Sequence, residues 1–180
     1  MFVDRNGTVT APLVDISSTL IGITYPHSAS HRDLIVKATK NFTAASGTTN
    51  FLIKSPGPLQ AHLEWSVISS GDVEIYFYEE PTVTGEGTDM TSARLFRESV
   101  KTTQTITKYG ASVSAKGTLL SEGYNGGSGT GNALQGGSVL HQDAEWLPKV
   151  DSWYLLEVIR AASVKMNVIF EWYEVPEITL

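Results

Sequence analysis

The stretch from Ala61 to Glu79 constrains the fold more than any other part of the chain. Leu63, Trp65 and Val67 alternate with His62, Glu64 and Ser66. Val73, Ile75 and Phe77 alternate with Asp72, Glu74 and Tyr76. Successive side chains of a strand leave opposite faces, so an apolar residue at every second position marks a strand with one buried face. Two such runs separated by Ser69-Ser70-Gly71 predict a β-hairpin. In the expected register Val67 lies opposite Val73, Trp65 opposite Ile75 and Leu63 opposite Phe77. A loop of this length ends on a residue at positive φ, which Gly71 tolerates. A slip of one residue would turn Trp65 and Phe77 into water.

The rest of the chain supports the same class. Its 180 residues suffice for one domain with a sizeable core. Sixteen glycines and many Ser and Thr residues accompany an absence of 3.6-residue periodicity. The best helical candidate, Thr88–Arg97, has no apolar stripe and reads as a loop with at most one turn. Strands are expected at Asp33–Ala38, Asn50–Ser55, Trp153–Ile159 and Val164–Tyr173. A weaker strand is expected within Thr103–Lys116, exposed or near a sheet edge, with a bulge at Gly110. Extended structure resumes at Gly117–Leu120. Thr82–Glu98 reads as a long polar connection and Gly123–Gly137, with seven glycines, as a flexible surface loop. The expected architecture is all-β: an antiparallel, jelly-roll-like β-sandwich over residues 25–180, preceded by an extended N-terminal arm over residues 1–24.

The last two strands and the arm carry the interaction hypothesis. Tyr154, Leu156 and Val158 share a core face with Val164, Met166 and Val168. On the opposite face stand Trp153, Leu155, Ile159, Ile169 and Tyr173, beside Glu157, Lys165 and Glu171. A sandwich strand has one core face, so this second apolar set needs a cover: the arm, a long loop or another subunit. Within the arm Leu13, Ile16, Leu20, Ile21 and Ile23 are out of place in a solvated tail. The arm is therefore expected to lie on a neighbouring subunit or another partner.

Several chemistries find no support. The formal charge is −6 and no basic cluster tracks a phosphate backbone, which argues against nucleic acid. The chain lacks cysteine, hence disulfides, thiolate metal sites and cysteine nucleophiles. Asp4 and Arg5 stand where a secretory signal would start its apolar run. No apolar run approaches the roughly 18–20 residues that span a bilayer. These features fit synthesis in a reducing cytoplasm. Of the four histidines, His27 and His31 have ligand spacing only on a helix, which Pro26 opposes. His62 is expected to stack on Tyr78, and His141 has no fixed partner. The glycine-rich segment fits neither phosphate-loop pattern. Gly126-Gly127-Ser128-Gly129-Thr130 misses the nucleophile elbow, and Glu79-Glu80 point to opposite faces instead of forming a facing acid pair. No catalytic residue, metal or cofactor is assigned. Exposed Tyr76 and Tyr78 fit a carbohydrate platform as well as ordinary strand positions.

The order of several short motifs resembles a group of tailed-bacteriophage virion proteins of the capsid decoration (cement) or head-fibre type. These motifs are His27–His31 before a strand and Asn50-Phe51-Leu52-Ile53. Next come Glu74-Ile75-Tyr76-Phe77-Tyr78-Glu79 before the Gly85/Gly87-Thr88 loop, and Gly117-Thr118-Leu119-Leu120 before the glycine-rich loop. Glu145-Trp146 with Lys149 then precedes Trp153-Tyr154-Leu155, and Glu171-Trp172-Tyr173-Glu174 closes the series. The resemblance spans roughly Tyr25–Glu174. It implies a non-enzymatic β-sandwich on the virion surface that binds the major capsid protein of an assembled shell, as a homotrimer over local three-fold positions, without nucleic acid or membrane. The competing class is a tail- or fibre-associated module that binds host-surface glycans through Tyr76, Tyr78 and the Gly123–Gly137 loop.

Overall fold

A computed structural model describes residues 2–3, 9–10, 35–95, 102–125 and 145–176. Every element among them is a strand, and every ladder is antiparallel. Near the N-terminus β1 (Phe2–Val3) pairs with β2 (Val9–Thr10). The sandwich is built from β3 (Val36–Ala44), β4 (Gly47–Lys54), β5 (Leu59–Ser69), β6 (Val73–Glu79), β7 (Thr82–Gly85), β8 (Thr88–Asp89) and β9 (Ser92–Arg94). It continues through β10 (Ile106–Tyr109), β11 (Ser112–Ala115), β12 (Thr118–Asn125), β13 (Trp153–Arg160) and β14 (Val164–Pro176).

Two sheets face each other. One has six strands in the order β12-β6-β13-β4-β10-β8, the other four in the order β5-β14-β3-β9. Consecutive strands β3, β4, β5 and β6 alternate between the sheets, and so do β13 and β14. No two consecutive strands are neighbours in either sheet. This crossing habit is the jelly-roll manner of closing a sandwich.

The expected hairpin is therefore an arch. β5 lies in the four-stranded sheet beside β14, while β6 lies in the six-stranded sheet between β12 and β13. The burial pattern is the one expected: Leu63, Trp65, Val67, Val73, Ile75 and Phe77 all point into the core. What fails is the pairing. Alternation tells which side of a strand is buried, not which strand is its neighbour; two strands facing across a core show the same pattern as two strands side by side. Trp65 and Phe77 meet across the core, their ring centroids 5.7 Å apart. Gly71 does not adopt positive φ. A Cβ there would stand 2.7 Å from Val164 Cγ1, so the residue is small because β14 passes close by.

The core between the sheets is one cluster. Phe51, Phe77, Phe170 and Trp172 are its largest fully enclosed side chains. Phe51 from the larger sheet meets Phe170 from the smaller one edge-on at 6.4 Å. Thr105 and Thr107, read as edge residues, are buried beside this core, although β10 does lie next to the edge strand β8. The Thr82–Glu98 connection, read as one long polar loop, contains β7, β8 and β9, and the Thr88–Arg97 stretch, read as a loop with at most one turn, holds the short strands β8 and β9. Gly110, at φ 71°, turns the chain between β10 and β11 instead of bulging a single strand.

β7 and β11 form a separate two-stranded ribbon. A second, smaller apolar cluster of Leu52, Leu155, Tyr78 and Ala111 packs with Val83 and Val113 of this ribbon. The ribbon is thus a third layer over part of the larger sheet's outer face. A short strap, Glu145–Lys149, closes one side of the sandwich. Trp146 exchanges two backbone hydrogen bonds with Leu63, at 2.8 and 2.9 Å, and its ring reaches Phe77 with centroids 5.2 Å apart.

Candidate interaction surface

The five apolar residues expected to form one uncovered cluster do not come together. β13 and β14 belong to different sheets, so their non-core faces are opposite outer faces of the molecule. Trp153, Leu155 and Ile159 lie on the outside of the six-stranded sheet, Ile169 and Tyr173 on the outside of the four-stranded sheet. Leu155 is fully enclosed by the chain's own ribbon, and Tyr173 is buried. Trp153, Ile159 and Ile169 are half-buried. Alternation placed each of the five on a non-core face correctly. It could not reveal that the face of β14 is a different surface from the face of β13. Leu13, Ile16, Leu20, Ile21 and Ile23 lie outside the described residues, as do His27, His31, His141 and most of the Gly123–Gly137 segment.

The outer face of the four-stranded sheet is broad and polar. β3 presents Thr39, Asn41 and Thr43, all exposed. Ser66 and Ile68 come from β5, and Lys165, Asn167 and Ile169 from β14. Glu171 pairs with Lys37 across the β14–β3 ladder at 3.6 Å. At one end His62 stacks on Tyr173, the ring centroids 4.5 Å apart, instead of on Tyr78. Glu145 Oε2 and the Tyr173 hydroxyl both lie within hydrogen-bond distance of His62 Nδ1, at 2.8 and 2.7 Å. This ties the strap to the sheet.

The outer face of the six-stranded sheet is divided. The ribbon covers its middle, anchored by Lys116 on the buried Glu157 at 2.8 Å. The hydrogen bond and charge of Glu157, helped by the nearby Tyr78, raise the Lys116 pKa against the opposing effect of burial. Beyond the ribbon, β6 and β12 leave Glu74, Tyr76, Glu122 and Tyr124 toward solvent. Tyr124 is the most exposed of the large apolar or aromatic side chains described, at 58%.

Two further polar clusters position the frame, and no sequence pattern announced them. Burial works to raise the pKa of Glu174. It is outweighed by hydrogen bonds from the Thr103 hydroxyl at 2.7 Å and from the backbone N–H groups of Gln104 and Thr105, at 2.9 and 2.6 Å. The net shift is downward. The carboxylate thereby pins the 103–105 segment to the end of β14. Tyr154, buried, donates to Glu79 at 2.7 Å and accepts from the Lys149 backbone N–H at 2.9 Å. Burial first, then the Glu79 hydrogen bond, hold its phenol protonated well above the ordinary value. Both clusters join groups about seventy or more positions apart in sequence, a distance over which spacing carries no signal. Among the described residues no group of three or more His, Asp or Glu side chains converges as metal ligands would.

Comparisons with protein-family models, curated proteins and solved structures find no match to this chain. The fold and surface define an antiparallel β-sandwich with a three-layered region and two unlike outer faces.

Proposed function

We propose that this chain is a structural virion protein of a tailed bacteriophage that binds the exterior of the assembled capsid and stabilises it. The partner comes from the motif order between Tyr25 and Glu174. The observation that carries the physical side of the reading is how the apolar rows are used. Inward rows close the sheets on each other and the ribbon closes the middle of one outer face. Among the described residues, what remains is the outer strand surface of the two sheets, available to lie against another surface. A protein that binds only the assembled shell stabilises it by mass action, and symmetric copies add avidity. A trimer over three-fold positions is the arrangement we favour, with the arm residues Leu13, Ile16, Leu20, Ile21 and Ile23 reaching a neighbour or the shell.

The glycan-binding alternative is left with less surface. Tyr78 lies under the ribbon at 9% exposure, so the described rings near solvent on that face are Tyr124 and the half-buried Tyr76 and Trp153. Co-sedimentation tests the main reading. The purified protein is expected to pellet with assembled shells and not with unassembled capsid subunits. Failure to pellet with shells, or equal binding to free subunits, would overturn it.

A further inference from the structure

Where the ribbon stops, the β6–β12 ladder sets rings and carboxylates in a checkerboard. Glu74 lies opposite Tyr124 and Tyr76 opposite Glu122. Asp72, Glu74 and Glu122 are exposed, Tyr76 is half-buried and Tyr124 is largely in solvent. The Tyr76 hydroxyl donates to Glu74 at 3.0 Å, and the Tyr124 phenol is hydrogen-bonded to Asp72. These bonds hold the rings in place before any partner arrives. On β13 the cross-strand neighbours of this strip are Glu157 and Ile159, so no lysine or arginine adjoins it across either described ladder. Lys116, on the same side of the sheet, is bound to Glu157. The field here is negative, and the tyrosines register it. The Glu74 hydrogen bond and charge, with a smaller effect from Glu122, raise the Tyr76 pKa; Asp72 and Glu74 raise that of Tyr124.

We propose that this strip docks a basic protein segment, one carrying arginine or lysine side chains. Guanidinium groups bond carboxylates in pairs and stack on tyrosine faces, so one partner residue engages both halves of the checkerboard. An acidic polysaccharide or nucleic acid meets repulsion from three carboxylates. A neutral sugar uses the rings and gains nothing from the charge. The proposal relies on the capsid reading for the partner's identity and on the strip alone for its chemistry.

Nuclear magnetic resonance titration with a short peptide of alternating arginine and glycine, at about 0.15 M salt, tests it directly. Saturable shifts confined to residues 72–76 and 122–124 are expected. Glu74→Gln with Glu122→Gln should weaken binding roughly tenfold, while Glu64→Gln with Glu171→Gln on the opposite outer face should leave it unchanged. Shifts spread evenly over both faces, no saturable binding, or indifference to the first pair would overturn the proposal. So would a neutral oligosaccharide that occupies the strip and is lost in Tyr76→Ala with Tyr124→Ala but not in the glutamine pair. Assembled shells separate this proposal from the reading above. If the glutamine pair binds shells as the natural protein does, the strip is refuted as the shell contact and the capsid reading stands. If the natural protein does not bind shells, the capsid reading falls and the peptide titration still decides the strip.

Discussion

Glu174 shows how one carboxylate can hold a segment that has little apolar character of its own. Its oxygen collects the Thr103 hydroxyl and two backbone N–H groups, with the Trp172 indole N–H at 3.4 Å. Hydrogen bonds to a charged group contribute about 1.5–3 kcal/mol. Glu174→Gln should therefore destabilise the fold by about 2 kcal/mol at neutral pH, measured by urea denaturation. The pH dependence has a definite sign. The folded pKa lies below the unfolded value of about 4.3, so the unfolded chain binds more protons in the window between them, and stability rises with pH there. The contribution is complete above that window and lost as pH falls through the folded pKa, so the gap between natural protein and variant should close in acid. A gap that stays constant down to the acid transition would contradict this role for Glu174. Gly117 is constrained by its backbone, at φ +84°. A Cβ there would collide with the Glu79 carbonyl oxygen and approach that of Glu80 to 2.7 Å. Gly117→Ala should cost about 2–3 kcal/mol by the same assay, and an unchanged midpoint would show that the β11–β12 corner yields freely.

At the scale of elements, the strap and the arches decide the topology. Trp146 joins Leu63 of one sheet by backbone bonds and Phe77 of the other by ring contact, so it closes the side of the sandwich that the edge strand β5 would leave open. Trp146→Ala should destabilise the protein by about 3 kcal/mol, while Trp146→Phe retains most of the packing and should lose much less. Equal losses in the two variants would mean that the ring does not fill the side of the core. The same elements show how much the sequence could tell. Period-two alternation found β5, β6, β13 and β14 and the buried face of each, because burial leaves its mark on every second residue. It could not distinguish an arch from a hairpin, since Ser69-Ser70-Gly71 spans either. Weakly apolar strands such as β7, β8 and β9 escaped notice because their few apolar side chains, such as Val83, pack against local partners that sequence does not place. The strip of Glu74, Tyr76, Glu122 and Tyr124 was half legible: the tyrosine was visible on β6, but its partners on β12 come from far along the chain, Glu122 opposite Tyr76 and Tyr124 opposite Glu74.

For the whole molecule, the account rests on two unlike outer faces around a closed core. One is polar; the other is part covered by the ribbon and part acidic and aromatic. The central claim is that such a surface attaches to an assembled shell. Electron cryomicroscopy of purified shells incubated with the protein tests this most directly. The account predicts two-layered β density on the shell exterior, repeated at local three-fold positions. Bare shells, or density confined to a tail or fibre, would contradict it.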